Sequence, residues 1–222
     1  MEDKYKIILS KIKKDMDFIN PLDKKLVIVS KAQKVENIKK LIDMGHYIYG
    51  ENYSEEAIKK ITIINNDRVE WHYIGKIQSN KIRKISKYFD WVQTISSEKH
   101  AKILNDECND ISKTMNICVQ VNIDNEDSKS GINISQIQDF YESIVKYKNL
   151  NIRGLMAIPS RVNALKANIN SYNILESEFS KLKQKYKDID TLSVGMSNDY
   201  QLALKYGANM IRIGSLIFGE RK

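Results

Sequence analysis

The feature that most constrains this chain is an alternation. Eight short apolar, largely β-branched runs recur along it, bounded by polar or glycine residues and separated by longer stretches with helical spacing. The runs are Leu26–Ser30, His46–Gly50, Val69–Ile74, Trp91–Ile95, Ile117–Ile123, Ile152–Ile158, Thr191–Val194 and Asn209–Ile213. Strands that alternate strictly with helices pair in parallel, because parallel neighbours need a crossover of that length. Eight such units close into an α/β fold, the (β/α)8 barrel of the TIM type. The competing solution, an open doubly wound sheet, usually announces a glycine-rich turn after its first strand. Here that strand ends in Ser30-Lys31-Ala32, without glycine. The 222 residues suit one barrel of roughly 200 to 250 residues. No Pro/Gly/Ser-rich stretch marks a linker, so residues 1–222 are expected to form a single domain.

The helical stretches carry their own punctuation. A first helix over about residues 3–18 is expected to bury Ile7, Ile8, Ile12 and Met16 on one face. Ser135 and Gln138 have capping-box spacing ahead of Phe140, Ile144 and Val145. Ser97 is placed to cap the helix that carries Ala101, Ile103 and Leu104. Ser197 is placed to cap a helix over Asn198–Tyr206, and Gly207 stands where a left-handed C-terminal glycine belongs.

Composition excludes several classes. The first eighteen residues are charged throughout, unlike a signal peptide, and no segment approaches the roughly 18 to 20 apolar residues that span a bilayer. A cytoplasmic protein without a membrane role is expected. Cys108 and Cys118 have no metal-ligand spacing and read as buried or free thiols in a reducing compartment. The net charge of +8 comes from lysines scattered among 28 acidic residues. No nucleic-acid partner is therefore expected, with Lys76 to Lys87 the one basic stretch to watch.

In barrels of this kind the chemistry sits at the C-terminal ends of the strands. The first strand ends there in Lys31 and the second in Gly50-Glu51-Asn52-Tyr53. The seventh leads to Gly195-Met196-Ser197-Asn198, and the eighth to Arg212-Ile213-Gly214-Ser215. The loops after the last two strands are the usual phosphate site of the fold. Ser197 at a helix start, Gly214 allowing close backbone approach and the Ser215 hydroxyl suit a dianion. A lysine at the end of an apolar strand is partly desolvated, which lowers its pKa and makes the amine nucleophilic. An aldehyde cofactor carrying a phosphate fits both ends, with Arg212 between them facing a pyridine nitrogen.

Each piece has a plainer reading. A lysine in so basic a chain is ordinarily a solvated surface charge. Arg212, flanked by Ile211 and Ile213, could pair with a carboxylate inside the barrel. Ser197 could be a simple cap, Asn52 a turn residue, and His72 a half-buried strand histidine rather than a base. The joint placement at one rim is what favours a site.

Seven segments carry a family resemblance, in order, over Leu26 to Arg221: LVIVSK (Leu26–Lys31), GENY (Gly50–Tyr53), HYIGKIQSNK (His72–Lys81), Val121–Gly131 ending KSG, RGLMAIP (Arg153–Pro159), SVGMSND (Ser193–Asp199) and IRIGSLIFGER (Ile211–Arg221). On these residues the chain resembles the pyridoxal phosphate homeostasis proteins, the YggS/PROSC-like family. The resemblance implies a fold-type-III barrel similar to the N-terminal domain of alanine racemase. It implies pyridoxal 5′-phosphate held as a Schiff base on Lys31, its phosphate on Ser197, Gly214 and Ser215, its pyridine nitrogen facing Arg212, and Asn52 beside the ring. It also implies a carrier that buffers and delivers the cofactor in vitamin B6 metabolism, without established turnover, meeting apo-enzymes transiently. The chain departs from the family at Lys76-Ile77, where His precedes Leu-Gln. It departs again at Ser54-Glu55-Glu56, where an apolar residue and Gln are usual, and in the loop Ser160–Asn170.

The competing function is a racemase-like enzyme using the same cofactor. A racemase needs a second acid/base group opposite the lysine. In alanine racemase an additional β domain supplies it, and these 222 residues leave none to build one. An arginine at the pyridine nitrogen also disfavours ring protonation and weakens the electron sink. A monomeric carrier, with no catalytic residue and no metal, is expected.

Overall fold

The structure, a computed structural model, describes residues 2–19, 24–126, 130–159 and 169–219. Helix α1 (Glu2–Ile19) precedes strand β1 (Lys25–Val29). There follow α2 (Val35–Asp43), β2 (Ile48–Glu51), α3 (Ser54–Ile64), β3 (Glu70–Tyr73), α4 (Ile82–Tyr88), β4 (Trp91–Ile95), α5 (Glu98–Asp110) and β5 (Met115–Asn122). A two-residue strand β6 (Ile132–Asn133) leads into α6 (Ile137–Ile144) and β7 (Leu150–Ala157). The chain then runs through α7 (Ile169–Lys185), β8 (Thr191–Ser193), α8 (Tyr200–Lys205), β9 (Met210–Ile213) and α9 (Ser215–Phe218). The strand order is β4-β3-β2-β1-β9-β8-β7-β5-β6, and β4 also pairs with β5. That pairing closes eight parallel strands into a barrel, with β6 added outside the ring on β5. The open sheet is excluded.

Alternation along each strand divides the core in two. Residues such as Ile28, Tyr49, Trp71, Val92, Ile211 and Ile213 face the helices and join one large apolar layer between barrel and helix ring. The opposite positions face the barrel axis. There Val27, Trp91, Cys118, Met156 and Met210 form a much smaller apolar cluster, and several of the remaining buried positions are polar: His72, Gln93, Ser193 and Arg212.

Helix α1 packs on the last elements of the chain. Tyr5, Leu9, Ile12 and Met16 form its buried stripe, and Tyr5 meets Phe218 edge-on at 6.0 Å. The Tyr200 hydroxyl donates to Asp15 at 2.6 Å. Ile7 is 70% exposed, so the expected face was rotated: the stripe is set by Tyr5 and Leu9, and Ile7 points outward.

Two caps also differ from expectation. The capping box ahead of α6 is formed by Asn133 and Gln136 rather than by Ser135 and Gln138. Asn133 accepts from the Ser135 N–H, and a short 3-10 turn over Ile134–Gln136 intervenes before α6. Ser97 does precede α5, without a side-chain cap bond. Gly207 follows α8 with φ +81°, the left-handed geometry expected of it.

Gly75, after β3, lies against the backbone of Asn52. A Cβ built there would stand 2.0 Å from the Asn52 carbonyl oxygen. Gly75→Ala is expected to lower stability by about 1 to 3 kcal/mol through this overpacking. Thermal unfolding of the two proteins checks this, with a drop of roughly 2 to 4 °C expected for each kcal/mol.

Candidate site at the barrel mouth

Lys31 stands two residues beyond β1, and the alternation Lys25, Val27, Val29 carries its position to the barrel-axis side. The strand ladder persists up to it, since Ser30 N–H donates to the Gly50 carbonyl at 3.0 Å. The next residue, Ala32, has φ +61°, a conformation that non-glycine residues rarely adopt. The side chains that hold this turn come from β2 and α3. Lys60 donates to the Ser30 carbonyl at 2.7 Å, to Glu51 Oε1 at 2.7 Å and to Glu56 Oε1 at 2.5 Å. Ser30 Oγ donates to Glu51 at 2.7 Å, and Ala32 N–H donates to Glu56 at 2.6 Å. Both neighbours of Lys31 are thus tied to one buried ion cluster, while Lys31 itself is half-buried at the rim.

Glu51 is fully buried and Lys60 nearly so. Burial raises the Glu51 carboxyl above its ordinary value, and the hydrogen bonds and charge of Lys60 oppose that rise. Glu51 Oε2 has no partner among the described residues. No sequence motif marks this cluster. Lys60 is one of many lysines, and only the placement of α3 against β1 and β2 shows that it points inward.

Across the β1–β9 seam, Val27 registers with Arg212 and Ile28 with Ile213. Arg212 is buried on the barrel axis (3% exposed). Its Nη1 donates to the Ser193 carbonyl at 2.8 Å and to Ser193 Oγ at 2.7 Å, and its Nη2 donates to the Ala157 carbonyl at 2.9 Å. A guanidinium has five N–H donors; one Nη2 hydrogen and the Nε hydrogen remain unengaged among the described residues. No carboxylate lies within hydrogen-bonding distance of it there, so the carboxylate pairing left open by the sequence is absent. Burial lowers Arg212 to about 10, which still leaves it cationic at neutral pH.

Ser197 is not a helix cap. Helix α8 begins at Tyr200, with Asp199 at the cap position, and Ser197 lies in the turn before it. Asp199 stabilises that turn, accepting from Met196 N–H at 2.6 Å and from the Tyr172 hydroxyl at 2.5 Å. Gly195, at φ +102°, starts it; a side chain there would also meet Ala203. Ser197 Oγ accepts from the Leu216 N–H at 3.1 Å, so it reaches across to the turn that holds Gly214 and Ser215 and keeps its own O–H to donate. Gly214 packs on Val29, and Ser215 is exposed.

Asn52 follows β2, which flanks β1 on the side away from β9. Its Oδ1 is buried with no hydrogen-bond partner among the described residues, and it lines a cavity of about 280 Å³ with Gly75, Thr94, Gln120 and Ser130. Lys76, one departure from the family pattern, lines the same cavity. Glu55, from the other departure, binds Lys81 and Lys84 at 2.8 and 2.9 Å, drawing part of the basic stretch into ion pairs. The loop over residues 160–168 lies outside the described residues. His72 is fully buried within the barrel and is no mouth residue. Cys108 and Cys118 are buried free thiols, and burial pushes Cys118 up to about 12. The structure thus brings Lys31, Asn52, Ser197, Arg212, Gly214 and Ser215 to one end of the barrel.

Lys60→Met is expected to destabilise the protein at neutral pH by about 3 to 5 kcal/mol, because it leaves Glu51 buried without its cation. Without Lys60 the Glu51 carboxyl rises further. A carboxyl raised in the folded state binds its proton more tightly there than in the unfolded chain, so acidification restores stability. The deficit against wild type should therefore shrink as pH falls below the raised value, as measured by denaturant unfolding across pH.

Three comparisons place the chain. Residues 8–222 match the family model described as alanine racemase, N-terminal domain. A pyridoxal phosphate homeostasis protein of Pasteurella multocida is 41% identical over 201 residues, covering 89% of this chain and 86% of that one. One of Buchnera aphidicola subsp. Schizaphis graminum is 42% identical over 216 residues, covering 96% and 94%. The structure of PipY from Synechococcus elongatus with pyridoxal phosphate bound superposes with a TM-score of 0.85 at 26% identity, over 97% of this chain and 100% of that one. By sequence and by fold, the chain belongs to the alanine racemase N-terminal domain family and, within it, to the pyridoxal phosphate homeostasis proteins.

Proposed function

We propose that the barrel mouth binds pyridoxal 5′-phosphate covalently on Lys31, and that the protein buffers and delivers the cofactor in the cytoplasm as a monomeric carrier. The observation that carries this reading is the convergence at the β1–β9 seam. A lysine with both backbone neighbours clamped follows the strand that pairs with β9, and β9 carries a buried guanidinium with unengaged donors and leads into the turn to which a serine with an O–H to donate is bonded. The donor set fits the group. Asn52 Oδ1 is a buried acceptor without a donor among the described residues, and Ser197, Gly214 and Ser215 form a small polar turn of the kind that holds phosphate after the last two strands of such barrels. Relatives named for pyridoxal phosphate homeostasis, and the cofactor in the PipY structure, support the same assignment.

Bound pyridoxal phosphate supplies an aldehyde carbon that condenses with amines and a ring that withdraws electrons from what is attached to it. The residues of this chain govern how far that goes. Lys31 attacks only as the neutral amine. Arg212 has donors and no acceptor, so it holds the ring nitrogen as an acceptor and withholds the proton that would strengthen the electron sink. Ser197 and Ser215 retain the phosphate. This arrangement favours retention and exchange over turnover, the reverse of what a racemase requires. Delivery to apo-enzymes by transient contact is part of the same proposal.

Borohydride reduction of the yellow protein should place the label on the peptide containing Lys31, and Lys31→Ala should abolish both label and colour while the fold persists. A label mainly on Lys76 or Lys81 would overturn the assignment. Ser197→Ala and Ser215→Ala each remove a hydrogen bond to a charged group, so dialysis should strip the cofactor with affinity lowered roughly ten- to hundredfold. Assay with D- and L-amino acids should show no racemisation above background.

A further inference from the structure

The barrel axis carries an unbroken chain of hydrogen bonds from the mouth to the opposite rim. Arg212 Nη1 donates to Ser193 Oγ at 2.7 Å. Ser193 Oγ donates to Gln93 Oε1 at 2.7 Å. Gln93 Nε2 lies 2.7 Å from His72 Nδ1, and His72 Nε2 lies 2.7 Å from Glu70 Oε1. Lys25 meets the same carboxylate at 3.1 Å. Glu70 and Lys25 begin their strands, so they stand at the N-terminal rim.

The ends, together with a neutral histidine, give every bond its direction. A guanidinium only donates and a carboxylate only accepts. With His72 neutral and its Nε2 proton on Glu70, Nδ1 accepts from the Gln93 amide nitrogen and the Gln93 oxygen accepts from Ser193 Oγ, so each group between accepts on the Arg212 side and donates on the Glu70 side. Burial lowers the His72 pKa, in keeping with the neutral ring. For Glu70 burial alone would raise the carboxyl, but the hydrogen bond from His72 and the charge and hydrogen bond of Lys25 lower it. The histidine ring stacks on Trp91 at 5.1 Å with the planes 6° apart, which holds its plane. Aligned bonds in a low-dielectric interior strengthen one another.

Barrel interiors of this class are ordinarily filled by branched apolar side chains. Three buried polar residues, Ser193, Gln93 and His72, stand here instead, and they lead to the one buried guanidinium among the described residues. We infer that Ser193, Gln93, His72 and Glu70 form a positioning relay that fixes the orientation of Arg212 toward the mouth. On the reading that the cofactor ring lies against Arg212, the relay sets how tightly and in what electronic state the cofactor is held. Gln93 and His72 are positioning residues and act only through Arg212.

The test uses Gln93→Leu and His72→Phe, the latter keeping an aromatic ring on Trp91. In the cofactor-free protein, ¹⁵N NMR of wild type should show His72 as the neutral Nε2–H tautomer. In Gln93→Leu the His72 Nδ1 shift should move to that of an unbonded nitrogen, and the Arg212 Nη protons should exchange faster. In the loaded protein both variants should shift the cofactor's absorption maximum and weaken its binding roughly three- to tenfold, with the borohydride label still on Lys31. Folded variants with wild-type Arg212 exchange, absorption and affinity would overturn the relay. Glu70→Ala, at the half-buried rim, breaks the same chain from its far end and decides the matter in the same way if the interior variants do not fold. If wild type takes no label on Lys31, the functional reading fails, while Arg212 exchange in the cofactor-free variants still decides the relay.

Discussion

The first barrel strand pairs with the last, from Lys25 with Met210 to Ile28 with Ile213, and the whole mouth depends on that seam. Lys31 comes from one end of the chain and Arg212, Gly214 and Ser215 from the other. They meet only when the intervening strands have added in order and β4 has paired with β5. Such long-range closure is entropically costly until many contacts form together. Helix α1 reinforces the seam from outside, through Tyr5 on Phe218 and Tyr200 on Asp15. The site is thus complete only in the closed barrel, and a fragment carrying LVIVSK alone presents an ordinary lysine.

Inside that closure the two faces of each strand solve different problems. The helix-facing layer is apolar and supplies the stability. The axial positions hold few apolar residues and a polar network whose members each find partners, as buried polar groups must. Arg212 is the exception that gives the network its direction. Carbonyls and Ser193 hold the guanidinium in place but do not neutralise it, so its field is left for whatever enters the mouth. A carboxylate partner would have made the same residue a structural ion pair.

The architecture was legible because it rests on local signals. Apolar β-branched runs of strand length and the lysine and glycine positions beside them need no tertiary information, and all eight runs became barrel strands. The misreadings share one cause. Ile7 fitted the helical stripe, but α1 is oriented by Tyr5 and Leu9 against the last helix. Ser135 had capping-box spacing, yet Asn133 two residues earlier won the contest for the free N–H groups. Ser197 looked like a cap, whereas Asp199 starts the helix and frees Ser197 to bridge to Leu216. In each case two neighbouring residues could do the local task, and packing chose. The Glu51–Lys60 pair and the Ser193–Gln93–His72 chain were invisible for a different reason. Each joins separate elements, and only register brings them together.

That distinction bears on why one lysine among 36 basic residues stands apart. Surface lysines differ from Lys31 less in their side chain than in their backbone. An exposed lysine sits on a helix or loop that can shift, and its amine samples a wide volume. Lys31 is bracketed by a Ser30 carbonyl locked to Lys60 and an Ala32 N–H locked to Glu56. The left-handed conformation at Ala32 costs about 1 to 2 kcal/mol for a residue with a Cβ, and a two-ended clamp is what sustains it. The buried ions cost more again, since Glu51 and Lys60 must both leave water. A chain that needed only a stable turn could have placed glycine at residue 32 and apolar groups behind it. The ion cluster instead fixes where the Lys31 backbone stands relative to the β9 seam, and hence how far its amine lies from Arg212 and from the turn at Ser197.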